Sequence, residues 1–294
     1  MKDSFPELKY SKSACGVEFM LNVADRSECP AWFDWKDKYV TDFFEFYFFR
    51  SANGFVNLNG EKVELYNGCI LVISPHQHQE WHIDIERLDY TFLIFQENFM
   101  ANILSDPYFI YRLQYFFQHD HPVCFDLQET ERGLILALLA EIKRELRNPV
   151  SDSYHLIAAN LFKFLIVLNR FYSERFNLSQ CVPVNLFAFK YKELLEKNIR
   201  SSFRVADYAR MLGISRIALN KAVDDAFGAT AVHLLKQRLL QEIKNDLIYT
   251  TKPPKVIASE LGFSASNHLM RFFKQQTGQT IGAYLEYIRS HGHE

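Results

Sequence analysis

The sequence is poor in the residues from which disulfide frameworks and thiolate metal sites are built. Its five cysteines are scattered along the chain, and no two of them have only two residues between them. They are Cys15, Cys29, Cys69, Cys124 and Cys181. This pattern argues against a disulfide-stapled fold and against a zinc site made of thiolates, and it is typical of a reducing compartment.

Long apolar runs are also missing. No apolar signal core follows Met1, and the longest apolar stretch, around 156–171, is broken by Asn160, Lys163 and Asn169. A membrane-spanning helix needs about 20 consecutive, mostly apolar residues. We therefore expect a cytoplasmic, globular protein without a membrane span, and 294 residues are enough for two domains.

The near-neutral formal charge of −2 hides an asymmetry along the chain. From Val184 onward the sequence has 16 Lys and Arg against 10 Asp and Glu, whereas the preceding residues have 17 against 25. A basic carboxyl half attached to an acidic amino half is expected if only the former meets phosphate. An uneven surface charge in an ordinary protein is the alternative.

Two segments near the carboxyl end follow one pattern. In each, an alanine is followed four residues later by a glycine: Ala209 with Gly213, and Ala258 with Gly262. Two short helices that cross steeply need a small residue at their contact, and the turn between them needs a residue that tolerates positive φ. Each segment therefore predicts a pair of compact helices.

The residues after each glycine extend the similarity. Ser215 is expected to open the next helix in the first segment, and Ser264 or Ser266 in the second. Leu219 and Leu269 are then expected to face the preceding helix. With Arg238 in the joining helix, the run 257–263 and the run 271–278, this region resembles the AraC/XylS family of bacterial transcription regulators.

That resemblance implies an all-α domain, 187–294, with two helix-turn-helix units. Each second helix would lie in the major groove of double-stranded promoter DNA. The implied base-reading residues are Arg216, Ile217, Asn220, Lys221, Ser266, Asn267, Met270 and Arg271, and the implied phosphate contacts are Arg204, Lys252, Lys255 and Lys274. The alternative for each is a solvated helix face.

The sequence also departs from the family pattern. Where relatives usually carry a Phe-Lys pair late in the first recognition helix, this chain has Asp224 and Asp225 after Val223. Near the end, Ile281 replaces a usual proline and Leu285 a usual arginine. The two carboxylates would oppose phosphate contact, so a first unit without strong DNA contact is a further interpretation.

The amino-terminal part, 1–128, has the pattern of many short strands, which predicts a sandwich or a small barrel. The aromatic run 43–49 favours a strand, Asn53-Gly54 and Asn59-Gly60 predict hairpin turns, and 69–73 predicts a buried strand. The order of these features up to 95 resembles the cupin sensor domain of many AraC-type regulators. The resemblance implies a β-barrel that binds a small-molecule effector.

The lining of such a barrel is aromatic. The predicted effector pocket consists of Phe44, Phe46, Phe48, His78 and Trp81. Because side chains alternate along a strand, the other set, Phe43, Tyr47 and Phe49, is the alternative. An ordinary aromatic core would show the same pattern.

Histidines in this region raise the question of a metal. Cupin enzymes hold metals with histidines from two motifs. Here His76, His78 and His82 with Glu80 lie on one short turn, and no histidine occurs near Trp35, where the first motif would lie. We therefore expect no metal, no cofactor and no catalytic residues.

Two long helices are predicted between the two regions. One begins at Glu129 and ends near Asn148-Pro149, and the next runs from about Ser151 to Arg175. In AraC-like proteins helices at this place mediate dimerisation, which the resemblance implies for 129–177; simple covering of the barrel is the alternative. Residues 178–186 are the expected linker.

Taken together, the sequence predicts an α+β multidomain protein. It comprises an amino-terminal cupin-like β-barrel, a helical dimerisation segment and a carboxyl-terminal all-α domain. The predicted function is a sequence-specific, DNA-binding transcriptional regulator, not an enzyme, that responds to an effector; it acts as a homodimer with RNA polymerase as a further partner. The rival hypothesis is a metal-dependent cupin enzyme with an attached helical domain.

Overall fold

A computed structural model of the chain describes residues 7–8, 21–28, 38–96, 99, 109–117, 121–178, 185–201 and 203–291. The chain divides into two compact units, Phe5–Gln180 and Cys181–Glu294. The division falls inside the interval 178–186. Residues 179–184 of that interval, together with Cys15, Cys29 and Cys181, lie outside the described residues.

The described part of the amino-terminal unit is built on two sheets. Its strands are β1 (Glu7–Leu8), β2 (Leu21–Asp25), β3 (Lys38–Thr41), β4 (Phe44–Ser51), β5 (Gly54–Leu58), β6 (Glu61–Leu65), β7 (Cys69–Ile73), β8 (Gln79–Ile83), β9 (Asp89–Phe95) and β10 (Cys124–Asp126). One sheet has the order β1-β3-β8-β5-β6 and the other has the order β10-β7-β4-β9-β2.

The closed barrel expected from the sequence is therefore not what forms among the described strands. They pair into two separate five-stranded sheets, with no hydrogen-bonded ladder that joins one sheet to the other. Sandwiches and barrels both need one inward-facing side of each strand, so alternation along the sequence is the same for both. The pattern therefore predicted the strands without determining how their edges meet.

One of the two predicted hairpin turns is confirmed. Asn59 and Gly60 have φ of 52° and 81°, and they join β5 to β6 in register, as a two-residue hairpin turn requires. The prediction at Asn53-Gly54 is wrong, because β4 and β5 belong to different sheets. Here the chain crosses from one sheet to the other instead of turning back.

The register of β4 decides which aromatic set faces which side. Phe44, Phe46 and Phe48 pack in a core with the helices of this unit, and Phe46 contacts Phe164 edge-on at 5.2 Å. On the other face, Tyr47 and Phe49 pack in a second core between the two sheets. The predicted pocket residues Phe44, Phe46 and Phe48 are thus not in the sheet interior.

Three helices of this unit are α1 (Gln114–Phe117), α2 (Glu129–Arg147) and α3 (Ser153–Arg175). A capping box between Gln128 and Glu131 starts α2. By length and apolar composition α3 qualifies as a possible membrane span. Its Leu161 and Leu165 are nevertheless fully buried in the core of this unit, which is the position of a core helix.

The carboxyl-terminal unit is helical throughout its described residues. It contains α4 (Leu186–Asn198), α5 (Val205–Met211), α6 (Arg216–Phe227), α7 (Ala231–Tyr249), α8 (Pro254–Glu260), α9 (Ser266–Thr277) and α10 (Ile281–His291). The joining helix α7 buries Leu235, Leu239 and Ile243 as its spacing predicts. Val232, on the first turn of the same helix, is 40% exposed.

Candidate nucleic-acid interface

The first helix pair, α5 and α6, is closed by a tight turn. Gly213 has φ of 67°, and the backbone N–H of Ile214 donates to the carbonyl of Ala209 at 3.1 Å. The hydroxyl of Ser215 then accepts from the N–H of Ala218 at 3.1 Å. Ser215 thus caps α6, as the sequence predicts.

The second helix pair, α8 and α9, repeats this turn. Gly262 has φ of 70°, and the N–H of Phe263 donates to the carbonyl of Ala258 at 2.8 Å. The helix begins at one of the two serines expected to open it, while Ala265 holds the cap position and makes no side-chain cap bond. Ser266 is the first helical residue.

Ser264, the other predicted helix-opening residue, has a different partner. Its hydroxyl lies 2.7 Å from Nδ1 of His268, and both side chains are exposed. This contact orients the imidazole on the first turn of α9, beside Asn267. Spacing patterns for helix pairs do not mark such a residue, so the sequence analysis did not include His268.

The predicted DNA-contacting residues of α6 do not share one environment. Arg216, Ile217 and Lys221 are exposed, and Ile217 reaches 81%. Asn220 is half-buried, and its Oδ1 accepts a hydrogen bond from the backbone N–H of Ala231 at 3.1 Å. A bidentate contact with adenine uses both the oxygen and the nitrogen of an asparagine amide, so this bond competes with base reading.

The predicted residues of α9 lie mostly in solvent. Asn267, Met270, Arg271 and Lys274 are exposed, while Ser266 is half-buried. Leu269 and Phe273 on the opposite side are fully buried. The helix therefore offers a polar and cationic face of about three turns, held from behind by the core.

The two second helices also differ in charge. In α6 the cations Arg216 and Lys221 are matched by Asp224 and Asp225, and both carboxylates are exposed. The sequence of α9 has Arg271 and Lys274 and no acidic residue. A phosphate backbone would therefore attract α9 more strongly than α6.

The predicted phosphate contacts outside α6 and α9 fall into two groups. Arg204 and Lys255 are exposed. Lys252 is half-buried, and its Nζ lies 2.6 Å from a carboxylate oxygen of Glu260 and 3.9 Å from one of Asp246. Because this ammonium is already paired, it has less to offer a phosphate than the other two.

The comparison with protein families identifies this region. Residues 208–287 match a family model described as "Helix-turn-helix domain". The carboxyl-terminal unit is an AraC-type helix-turn-helix domain. A comparison with curated protein sequences gives no match.

Three of the solved structures to which the chain is similar follow. ToxT from Vibrio cholerae is 15% identical over 91% of this chain and 97% of its own, with a TM-score of 0.40. The AraC-like transcriptional activator CuxR is 14% identical over 68% of this chain and 67% of its own, with a TM-score of 0.32. The carboxyl-terminal domain of the response regulator AraT from Geobacillus stearothermophilus is 20% identical over 33% of this chain and 82% of its own, with a TM-score of 0.32.

Inside the helix-turn-helix domain, an ion network holds α7 to its neighbours. Arg200 lies within 2.5 Å of Glu242 and 3.1 Å of Asp246. Arg238 lies 2.6 Å from Glu196 and 2.5 Å from Glu242. Glu242 and Asp246 are buried, so each arginine supplies the charge that a buried carboxylate needs.

A buried lysine lies in α4 of the same domain. Lys192 is 8% exposed, and its ammonium lies 4.1 Å from the ring centroid of Phe227. Burial lowers the pKa of Lys192 to about 7, and the nearby charge of Glu196 offsets part of that effect. The Lys192 side chain therefore belongs to the packing of the domain, where it contacts the core-facing side of α6.

In the amino-terminal unit, the predicted pocket residue Trp81 lies in the core between the two sheets. Its ring contacts Tyr47 edge-on at 5.3 Å, and its Nε1 donates to Gln79 at 3.1 Å. His78 is half-buried, and its backbone N–H donates to Asn59. Trp81 therefore faces the interior, whereas His78 lies on the turn before β8.

A buried carboxylate lies in the same interior. Glu45 is 1% exposed and accepts hydrogen bonds from Thr41 and Tyr47 at 2.7 Å each, and a third from Gln79. Burial raises the pKa of Glu45, and the three donors offset part of the rise. Glu45 stands inside the aromatic run 43–49, and the pattern of that run does not predict its three hydrogen-bond partners.

The histidines considered as metal ligands lie in different surroundings. His76 is exposed, and the His82 ring stacks on Phe55 at 4.6 Å with its Nε2 3.4 Å from Glu80. Among the residues that the structure describes, no group of three or more His, Cys, Asp or Glu side chains is placed to hold a metal ion.

Proposed function

We propose that the protein is a sequence-specific DNA-binding transcriptional regulator whose principal DNA reader is α9. The observation that carries the proposal is the exposed face of α9 within the matched helix-turn-helix domain. Asn267 offers an amide for adenine, and Arg271 offers a fork of donors for guanine. Lys274, one turn further on, supplies a phosphate contact.

The first helix pair has a supporting role in this proposal. Asn220 is bonded to the start of α7, and Asp224 and Asp225 cancel the positive charge of α6. Arg216, Ile217 and Lys221 remain available for a second, weaker block of contacts. Ser264 adds a positioning role on the other pair, because it holds the ring of His268 beside Asn267.

The amino-terminal unit is proposed as the sensor of a small-molecule effector. Its two-sheet core contains a polar centre, Glu45, inside an aromatic shell that includes Tyr47 and Trp81. Such a combination of apolar walls and few polar groups suits a small organic ligand. We further propose a cytoplasmic homodimer formed through α2 and α3, with RNA polymerase as a partner at the promoter.

Selection from random duplex DNA tests the reader directly. The full chain is incubated with the DNA pool across a salt series, and the enriched sequences are determined. The same selection is made with two double variants. The first combines Arg271→Ala and Lys274→Ala, and the second combines Arg216→Ala and Lys221→Ala. Both double variants remove two cations. The first should abolish enrichment and flatten the salt dependence, and the second should weaken one block of the site only.

A control variant, Lys236→Ala, removes an exposed cation from the joining helix α7 and should keep the selected sequence. Equal losses for the two double variants would show that α6 and α9 read DNA equally. Absence of binding at low salt by the folded chain, with and without candidate effectors, would reject the regulator. Stoichiometric metal in the purified protein would favour the cupin enzyme.

A further inference from the structure

Cys69 and Cys124 lie side by side on neighbouring strands. The edge strand β10 pairs with β7 so that Cys124 is opposite Leu71 and Asp126 is opposite Cys69. Residues two apart on a strand share a face, so both thiols enter the same core between the sheets. Both thiols are free and buried.

The two thiols have opposite environments. The hydrogen bond from Cys124 holds the pKa of Cys69 below its usual range, aided by the backbone N–H of Tyr66 and the charge of Arg132. The Tyr66 nitrogen lies 3.4 Å from the Cys69 sulfur, and Arg132 donates to the carbonyl of the adjacent Gly68 at 2.8 Å. The same thiol–thiol bond and burial raise the pKa of Cys124.

We propose that Cys69 and Cys124 form a reversible oxidation site for a small hydroperoxide. The Cys69 thiolate is the nucleophile and attacks a peroxide oxygen, which breaks the O–O bond; the other oxygen takes the proton that the Cys69 thiol released on ionisation and leaves as water or an alcohol. Cys69 becomes a sulfenic acid. The Cys124 sulfur then attacks the Cys69 sulfur, and the sulfenic hydroxyl leaves with the Cys124 proton as a second water.

The surroundings select the oxidant and the type of disulfide. Cys69 is fully buried and Cys124 nearly so, which favours a peroxide over a bulky disulfide reagent. Diagonal neighbours on antiparallel strands have α-carbons roughly 7–8 Å apart, just beyond the separation that a disulfide spans without movement of the backbone. The bond therefore forms with a small shift of β10 and is readily reduced again.

A shift of β10 reaches the helices of the same unit. Asp126, the last residue of β10, forms an ion pair with Arg175 at the end of α3. Three residues after Asp126 the chain enters α2, whose Arg132 is bonded to Gly68 next to Cys69. Oxidation is therefore coupled to the packing of α2 and α3, and this site is independent of the DNA-binding proposal.

The test uses the full chain with Cys15, Cys29 and Cys181 replaced by serine, so that only the pair can react. Hydrogen peroxide is titrated in, and the products are mapped by peptide mass spectrometry, with dimedone present to trap sulfenic acid. We expect a single Cys69–Cys124 disulfide that the small reductant dithiothreitol reverses. In this background Cys124→Ser should leave a dimedone adduct on Cys69, and Cys69→Ser should lose the reaction.

Three results would overturn the proposal: both thiols stay reduced in the folded chain, the adduct forms on Cys124, or the disulfide joins two different molecules. Circular dichroism confirms that each variant is folded. If a variant does not fold, the chain with all its natural cysteines is mapped at low peroxide, and absence of the Cys69–Cys124 peptide then counts against the proposal.

Discussion

The ring of Phe203 lies directly against the α-carbon of Gly262. A methyl group at that α-carbon would come within 2.1 Å of the ring, far inside van der Waals contact. Phe203 precedes α5, and Gly262 is the turn of the second helix pair. The entry to one pair is therefore packed onto the turn of the other.

This contact predicts different costs for two otherwise equivalent glycines. Gly213 has the same positive φ but meets no heavy atom within 4 Å of an added methyl group. Gly213→Ala should cost about 1–2 kcal/mol from the backbone alone. Gly262→Ala should cost about 1–3 kcal/mol more, because the ring must move.

Chemical denaturation of the two variants measures this difference. Phe203→Leu in the Gly262→Ala background should restore part of the lost free energy of unfolding. In the Gly213→Ala background the same substitution should only lower the free energy of unfolding further. Equal free energies of unfolding for the two alanine variants would show that the contact has no energetic weight.

The second prediction separates two asparagines. Asn220→Ala should lower the free energy of unfolding by about 1 kcal/mol, because the N–H of Ala231 loses its acceptor. Asn267→Ala should leave stability within about 0.5 kcal/mol of the parent, since the side chain is exposed. It should instead cost roughly 1–3 kcal/mol of discrimination at one base position.

Thermal denaturation and binding to single-base variants of the selected site measure the two effects. A stable Asn220→Ala with relaxed base preference would assign base reading to α6 and contradict our proposal.

The third prediction concerns the carboxylates of α6. Asp224→Asn with Asp225→Asn should tighten DNA binding, on the order of tenfold at low salt, because two like charges near the phosphates are removed. The gain should shrink as salt rises. Glu86→Gln with Glu129→Gln in the amino-terminal unit changes the net charge equally and should have little effect. A salt-independent gain would point to a changed fold of α6.

The fourth prediction concerns pH. Because the pKa of Lys192 falls to about 7 on folding, the unfolded chain binds more protons between pH 7 and 10. The contribution of Lys192 to stability is therefore fully present above its unfolded pKa and is lost as pH falls towards 7.

Lys192→Met should raise the free energy of unfolding near pH 7 by a few kcal/mol. It should also flatten the increase in the free energy of unfolding between pH 7 and pH 10. Lys197→Met, on the exposed side of the same helix, should leave the rise intact. Denaturant midpoints at a series of pH values measure both. An unchanged pH dependence in Lys192→Met would show that this ammonium is not the group responsible.

Periodicity and capping residues were enough to place most helices. The start of α2 at Glu129, the end of α3 at Arg175 and the cap at Ser215 follow from local chemistry, which a sequence displays. The turn at Asn59-Gly60 is of the same kind, since the positive φ of both residues is a property of the dipeptide itself.

Tertiary partners were not predictable in this way. Alternation divides β4 into two faces but does not say which face meets the helices, so the choice between the set with Phe46 and the set with Tyr47 stayed open. Asn220 has the right chemistry for adenine and the right helix position, yet its partner is Ala231, eleven residues later. Asn53-Gly54 has the sequence of a hairpin turn. Which sheet β4 and β5 each join is decided by their pairing with strands that are distant in the sequence.

The bond between Asn220 and α7 bears on how the DNA preference of such a protein can change in evolution. A substitution at Asn220 disturbs the fold before it alters any contact with a base. Substitutions at Asn267, Met270 or Arg271 leave the core untouched, because these side chains only face solvent. Under the proposed function, target preference changes by exchange of residues of α9, whereas Asn220 of α6 is held by its bond to the joining helix.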